Sequence, residues 1–446
     1  MSSALAIALA SVLTLLVTTL LGWELLEAVS LAVGLHLSLS VLASLFTGCT
    51  IHVPWMHAGQ AAVKGAEIAL VVLASLTLVE MMRNDGVLAS LLTALEPDHR
   101  HRDRYLLGVS IVGAGALESV ASFGTPATLV GPLLVDAGVR KPLAAAAALI
   151  GHAPFGAFAA FGVPVLVAAE VTRRDPGDLT AGALLWELPA LALLPVIVGR
   201  AVDVRHGRTL PLTVGLMTLA AGVVGCALRS PALTGPLLTF GAAAGLLWYL
   251  KLLEGELSVE LSPRAVRAAV VYGTSMLILG AVKSLHLDRV RPWMVLWGAV
   301  LAYAAPRWGR VPGYVRSVLS RSWRELVALI LCLVLGALIA DSPLPDVLRG
   351  YASAPPVAFA VGFVGELVMG STTAVMATFS SGTPHPDLTL VGAACAAATC
   401  PYNVAVAAAA VRSHEKRIMR RGLLGTVYLS GVIVPWMLAL WWIEGS

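Results

Sequence analysis

The sequence predicts an all-α polytopic membrane protein built from inverted-topology repeats, each with a re-entrant hairpin and a broken helix. Three observations lead there. Of 446 residues, 58% are hydrophobic and 13% charged, with a mean hydropathy of +0.85; a soluble chain is about 25% charged. The apolar residues fall in runs long enough for spanning helices, which need about 20 residues each. Two further apolar segments, 105–139 and 355–385, are interrupted near their middles by Gly, Ser, Thr or Pro and are too long for one span.

This composition excludes a soluble globular chain and a disordered one. The runs of Ala, Leu and Val lack the period-two alternation of a transmembrane β-barrel. Thirty Lys and Arg against 26 Asp and Glu give a net charge of +4. The basic residues gather in short segments between apolar runs, so they are topology signals and not a nucleic-acid surface. Cys49, Cys226, Cys332, Cys395 and Cys400 are scattered without metal-ligand spacing, and neither a metal nor a cofactor is expected. The first apolar run lacks a basic flank and a cleavage pattern, so it reads as a span and not a signal peptide.

Dividing the runs at charge, Pro and Gly gives spans at 4–22, 28–47, 65–82, 142–170, 180–199, 210–228, 232–250, 268–285, 292–306, 325–340, 391–411 and 422–443. Asn84–Leu95 suits a surface amphipathic helix, and Trp293, Trp297, Trp441 and Trp442 suit interfacial anchors. Six basic segments share one side if 105–139 and 355–385 each return to the side they start from. A single span at either place would break that parity. The segments 48–64, 172–178, 229–231, 286–291 and 341–356 then face away from the cytoplasm, as do both termini. Arg289 and Arg291 fit this side least well.

The two interrupted segments are followed by similar elements. GALESVASFGTP precedes a span containing GHAPFG, and GELVMGSTT precedes one containing TCPYN. Glu118 and Glu366 are 248 residues apart, Pro154 and Pro401 247. The two units enter the membrane from opposite sides, which is the pattern of many secondary transporters. The first repeat is then 1–209, with hairpin 105–139 and broken span 142–170. The linking spans are 210–250. The second repeat is 251–446, with hairpin 355–385 and broken span 391–411.

Pro154 and Pro401 each remove an N–H and free a carbonyl inside a span, which lipid tolerates only beside a polar cavity. Half-helix N-termini at such breaks suit a carboxylate. The tips Ser122-Phe123-Gly124-Thr125 and Gly370-Ser371-Thr372-Thr373 add hydroxyls and close backbone approach. His152, Tyr402 and Asn403 flank the two prolines and complete the candidate substrate shell. Glu118 and Glu366 sit four residues before the tips, where an ionisable group is costly, and are candidate sites for a coupling proton. The plainer readings are close helix packing for the small residues and inter-helix bonding for His152. His36, Glu67, Glu80, Glu170 and Glu187 are assigned to snorkelling or inter-helix bonding.

The stretch Gly115–Thr172 resembles the L-lactate permease family. Leu117, Glu118 and Phe123-Gly124-Thr125-Pro126 match its LEGAAGFGTP-like stretch. Ala153-Pro154, Gly162-Val163-Pro164 and, in looser register, Phe158 match its NTAPVAFGAMGIP-like stretch. Gly370-Ser371 and Pro401 are more weakly similar to its GSDTSSN and ISPQ stretches. About a quarter of the chain carries the resemblance. It implies an elevator-type transporter importing lactate, glycolate and related 2-hydroxy-monocarboxylates with a proton, often as a homodimer, in the cytoplasmic (inner) membrane. The chain departs from the family at Thr372-Thr373, where the family has Asp-Thr, and at His152, where it has Asn. Tyr402 replaces Gln, and Ser119, Val120 and Ser122 replace Gly or Ala. These departures leave transport more secure than lactate itself. The alternatives are a sodium- or proton-coupled carrier of another organic anion, such as a dicarboxylate, and an intramembrane enzyme. No HExxH, Ser/His or paired-Asp arrangement supports the enzyme, and no repeated filter motif supports a channel.

Overall fold

The structure is a computed structural model. It describes residues 3–20, 24–47, 55–87, 102–120, 125–204, 209–254, 292–351 and 353–445, with seven isolated positions between 263 and 278. Every described element is helical. The chain opens with α1 (Ser3–Leu20), α2 (Leu25–Thr47) and α3 (Trp55–Asn84). The first interrupted segment follows as α4 (Arg102–Leu107), a π-helical turn (Gly108–Gly113), α5 (Ala114–Val120) and α6 (Thr125–Asp136). Next come α7 (Lys141–His152), a 3-10 stretch (Ala153–Phe158), α8 (Ala159–Thr172), α9 (Pro176–Ala201), α10 (Thr209–Leu228) and α11 (Pro231–Glu254). Then α12 (Pro292–Ala304), α13 (Val311–Ala340) and α14 (Leu344–Tyr351) lead to the second interrupted segment. That segment is α15 (Pro355–Met369) and α16 (Thr372–Phe379), closed by a 3-10 turn (Ser380–Gly382). Finally α17 (Pro386–Ala396), α18 (Pro401–Val411) and α19 (Glu415–Gly445) complete the chain.

Nine helical stretches among the described residues are long and apolar enough to cross a membrane. The two stretches with broken helices lie deepest. In 141–172 and 386–411, 83% and 67% of the most apolar window is buried, against 28–56% in the other seven. Hydroxyls inside the spans mostly bond the carbonyl four residues back, as Ser75 does to Val71 and Thr218 to Val214. This satisfies them without water.

Helix contact here depends on small residues, because lipid offers no hydrophobic drive between helices. On α15 and α17 two glycines answer one another. A Cβ on Gly362 would strike the Thr389 carbonyl, and one on Gly392 the Phe359 carbonyl. The result is backbone against backbone along these two helices.

Several helices outgrow the apolar runs. α3 begins at Trp55 rather than 65, α13 at Val311 rather than 325, and α19 at Glu415 rather than 422. Arg, Lys and Glu are good helix formers, so the helix continues where hydropathy ends. The expected span 268–285 and the surface helix beyond Val87 lie largely outside the described residues.

Candidate functional site

The second interruption lies where the sequence places it, separating α15 from α16 at Gly370-Ser371; around the first, α5 ends at Val120 and α6 begins at Thr125. In each pair the two arms pack side by side. Ser122, Phe123 and Gly124 lie outside the described residues; Thr125 opens α6.

At the second tip Gly370 takes the left-handed conformation, with φ +66°. That ends α15 abruptly, and only glycine adopts it without strain. Its missing side chain also makes room: a Cβ there would lie 3.0 Å from the Tyr402 Cβ and 3.3 Å from the Cys400 Sγ. Ser371 then caps α16 by accepting from the Ala374 N–H at 3.3 Å. The tip therefore rests on the break before Pro401.

At the end of α17 and just beyond it, three side chains bond backbone carbonyls. Thr426 donates to the Cys395 carbonyl at 3.3 Å, Thr399 to that of Ala396 at 3.0 Å, and Asn403 Nδ2 to that of Ala397 at 2.8 Å. Asn403 thus braces the break, and one of its amide hydrogens is committed.

Glu366 is 2% exposed and lies under this tip. Thr372 faces its carboxyl, Glu118 and Cys400 are within electrostatic reach, and Oε2 has no hydrogen-bond partner. Glu118 is itself buried, at 6%. The two acids matched by the repeat spacing are therefore both buried and within electrostatic reach of one another. Around them Gly370, Ser371, Thr372, Thr373 and Asn403 are half-buried, while Tyr402 is 52% exposed on the rim.

The first break is larger than Pro154 alone predicts. α7 ends at His152, a 3-10 stretch carries Pro154, and Ala160, Phe161 and Gly162 then all have positive φ, of 46°, 61° and 80°. Only glycine takes this region freely, so packing imposes it on Ala160 and Phe161. Phe155, Phe158 and Phe161 are fully buried. A Cβ on Gly162 would lie 2.6 Å from Pro231 of α11.

His152 is buried, and its Nδ1 lies 2.8 Å from the Ala148 carbonyl of its own helix. A carbonyl only accepts, so Nδ1 carries the hydrogen and Nε2 of the neutral ring is an acceptor. A neutral His152 cannot donate to a carboxylate. No hydrogen bond among the described residues joins it to either tip.

The other ionisable residues mostly behave as expected. His36 Nδ1 meets Ser11 Oγ at 3.1 Å, Lys64 pairs with Glu67, and Glu80 pairs with Arg83 and Arg321. Glu187 does not. It is 1% exposed, and neither carboxyl oxygen has a partner. The expectation of snorkelling is corrected, because α9 starts at Pro176 and puts Glu187 near mid-helix, facing Cys395 of α17. The sequence also gave no prominence to Cys400, which is fully buried between Gly370 and Glu366.

The two units interlock reciprocally. α6, the second arm of the first interrupted segment, packs on α18 beyond the second break. α16, the second arm of the second, packs on α8 beyond the first. The 3-10 stretch of the first break lies against α17. Buried broken helices inside a shell of apolar helices define an integral multi-pass membrane protein.

The family model for L-lactate permease matches residues 3–221, just under half of the chain. Over that stretch the chain is similar to the L-lactate permease family. Glycolate permease GlcA of Escherichia coli K12 is 32% identical over 166 residues, covering 36% of this chain and 29% of that protein. The L-lactate permease of the same strain is 32% identical over 115 residues, 25% and 20% respectively. That of Salmonella typhi is 32% identical over 131 residues, 28% and 23%. The matched stretch spans less than a third of each relative. All three are named permeases, and none is named as an enzyme.

Proposed function

We propose that this protein is a secondary active transporter of small monocarboxylates, lactate- or glycolate-like 2-hydroxy acids, driven by proton symport in the cytoplasmic (inner) membrane. The observation that carries the reading is a helix tip resting on a helix break, with the buried acids Glu366 and Glu118 within electrostatic reach of one another beside it. The relatives' names supply the substrate class.

In this reading 1–209 and 251–446 are inverted repeats joined by the spans at 210–250. The arms 105–139 and 355–385 are re-entrant hairpins. The reciprocal packing of α6 on α18 and α16 on α8 supports that symmetry. The substrate carboxylate meets the half-helix N-termini and the hydroxyls of the tips, with Ser122, Phe123, Gly124, Thr125, Gly370, Ser371, Thr372 and Thr373 around it. Tyr402 and Asn403 supply the rim, and His152 completes the shell. Movement is of the elevator type, with a homodimer as the fixed frame.

Two buried acids within electrostatic reach repel as anions, so the pair offers a place for the coupling proton. Glu118 is the first choice for that role. In proteoliposomes, Glu118→Gln is expected to abolish uptake driven by a proton gradient and to spare counterflow exchange of substrate. Driven uptake at the wild-type rate would remove Glu118 from the coupling step.

A further inference from the structure

A cavity of about 440 Å³ opens at the far ends of α8, α13 and α16, away from the tip cluster. Its wall includes Arg173, Arg174 and Arg349, with Asp341 as the acidic member and Ser381 at its base. Asp341 is already engaged, by His57 Nδ1 at 2.7 Å and Arg173 at 3.5 Å. Arg174 gives one donor to the Pro384 carbonyl at 3.0 Å, and Arg349 pairs with Asp346 at 2.9 Å. A guanidinium has five N–H donors, so each arginine keeps several for a ligand. Ser381 is 5% exposed, and its Oγ has no hydrogen-bond partner.

The backbone does not make this place attractive to an anion. α8 and α13 end here, and helix C-termini present carbonyls and negative dipole. The attraction has to come from the three side chains. Arg173 and Arg174 follow α8 and Arg349 lies in the last turn of α14, in segments that the basic-residue pattern puts on the non-cytoplasmic side, where it disfavours arginine. Membrane topology therefore gives no account of them, whereas a ligand does.

We propose that this cavity is a vestibular binding site for small carboxylates, distinct from the tip cluster, that captures the anion before it reaches the helix breaks. Arg174 and Arg349 grip the carboxylate, and Ser381 Oγ fills its open valence with the substrate. α8 and α16 run from this mouth to the first break and the second tip, so the captured anion lies at the head of both. The proposal rests on the reading of the chain as a carboxylate carrier.

The test uses the full chain in proteoliposomes, with labelled lactate or glycolate at low ionic strength and in about 0.5 M salt. The double substitution R174Q/R349Q is expected to raise KM about fivefold or more at low salt and to leave the maximal rate unchanged. R174K/R349K should restore much of the affinity, and salt should move the wild-type KM toward that of the Gln variant. An equal KM for wild type and R174Q/R349Q at low salt overturns the proposal. Absence of saturable wild-type uptake would instead refute the carrier reading. Equilibrium dialysis of labelled lactate against the purified chain then decides separately: weaker binding by R174Q/R349Q supports the vestibule, and equal binding overturns it.

Discussion

Glu187 holds both carboxyl oxygens away from any hydrogen-bond partner in the middle of α9. Burying a polar group unpaired costs about 1–3 kcal/mol in proteins. Glu187→Met keeps the length and removes both oxygens. It is expected to raise the thermal unfolding temperature of the purified protein by a few degrees; a fall of that size would mean the carboxyl has a partner in the membrane. Stability gained together with transport lost would mark Glu187 as a residue kept for function. The opposite holds for Asn403, whose Nδ2 meets the Ala397 carbonyl. Asn403→Ala leaves that carbonyl unpaired and should lower stability by roughly 1–3 kcal/mol in the same assay; unchanged stability would show the brace to be idle. Glu118 and Glu366 were legible in the sequence because their spacing repeats. Glu187 was not, since hydropathy starts its span four residues late and so moves it toward an end. The three arginines were not legible as a group, because nothing local says that the end of α8 and the end of α14 converge on one mouth.

Helices follow from apolar runs, and interruptions from tips rich in Gly, Ser and Thr. Pro401 likewise marks its break, since a proline at the first helical position starts α18. The first break was only half legible. Alanine and phenylalanine have no preference for positive φ, so Ala160 and Phe161 adopt it under tertiary packing that no local pattern records. The glycines of α15 and α17 give the test at this scale. Gly362→Ala would place a Cβ on the Thr389 carbonyl, and overpacking of this kind costs about 1–3 kcal/mol. It should lower the unfolding temperature and separate α15 from α17. Gly298→Ala on α12 meets nothing within 4 Å. There the lost backbone freedom of the unfolded chain should stabilise the protein by roughly 0.5–1 kcal/mol. Equal effects at the two positions would contradict the close approach.

The whole molecule places its least lipid-compatible parts at its centre. Among the described residues seven apolar stretches accompany two broken ones, and the second arm of each interrupted segment lies on the broken helix that follows the other. In the proposed carrier, that arrangement would offer a carboxylate helix N-termini and hydroxyls, and a proton two buried acids within electrostatic reach of one another. At the opposite end, three arginines line a mouth. The most direct test is uptake of labelled L-lactate or glycolate by proteoliposomes holding the purified chain and a pH-sensitive dye inside. The account predicts saturable uptake that rises with inward proton drive and acidifies the lumen in step with the label. Uptake indifferent to the proton gradient, with no acidification, would contradict it.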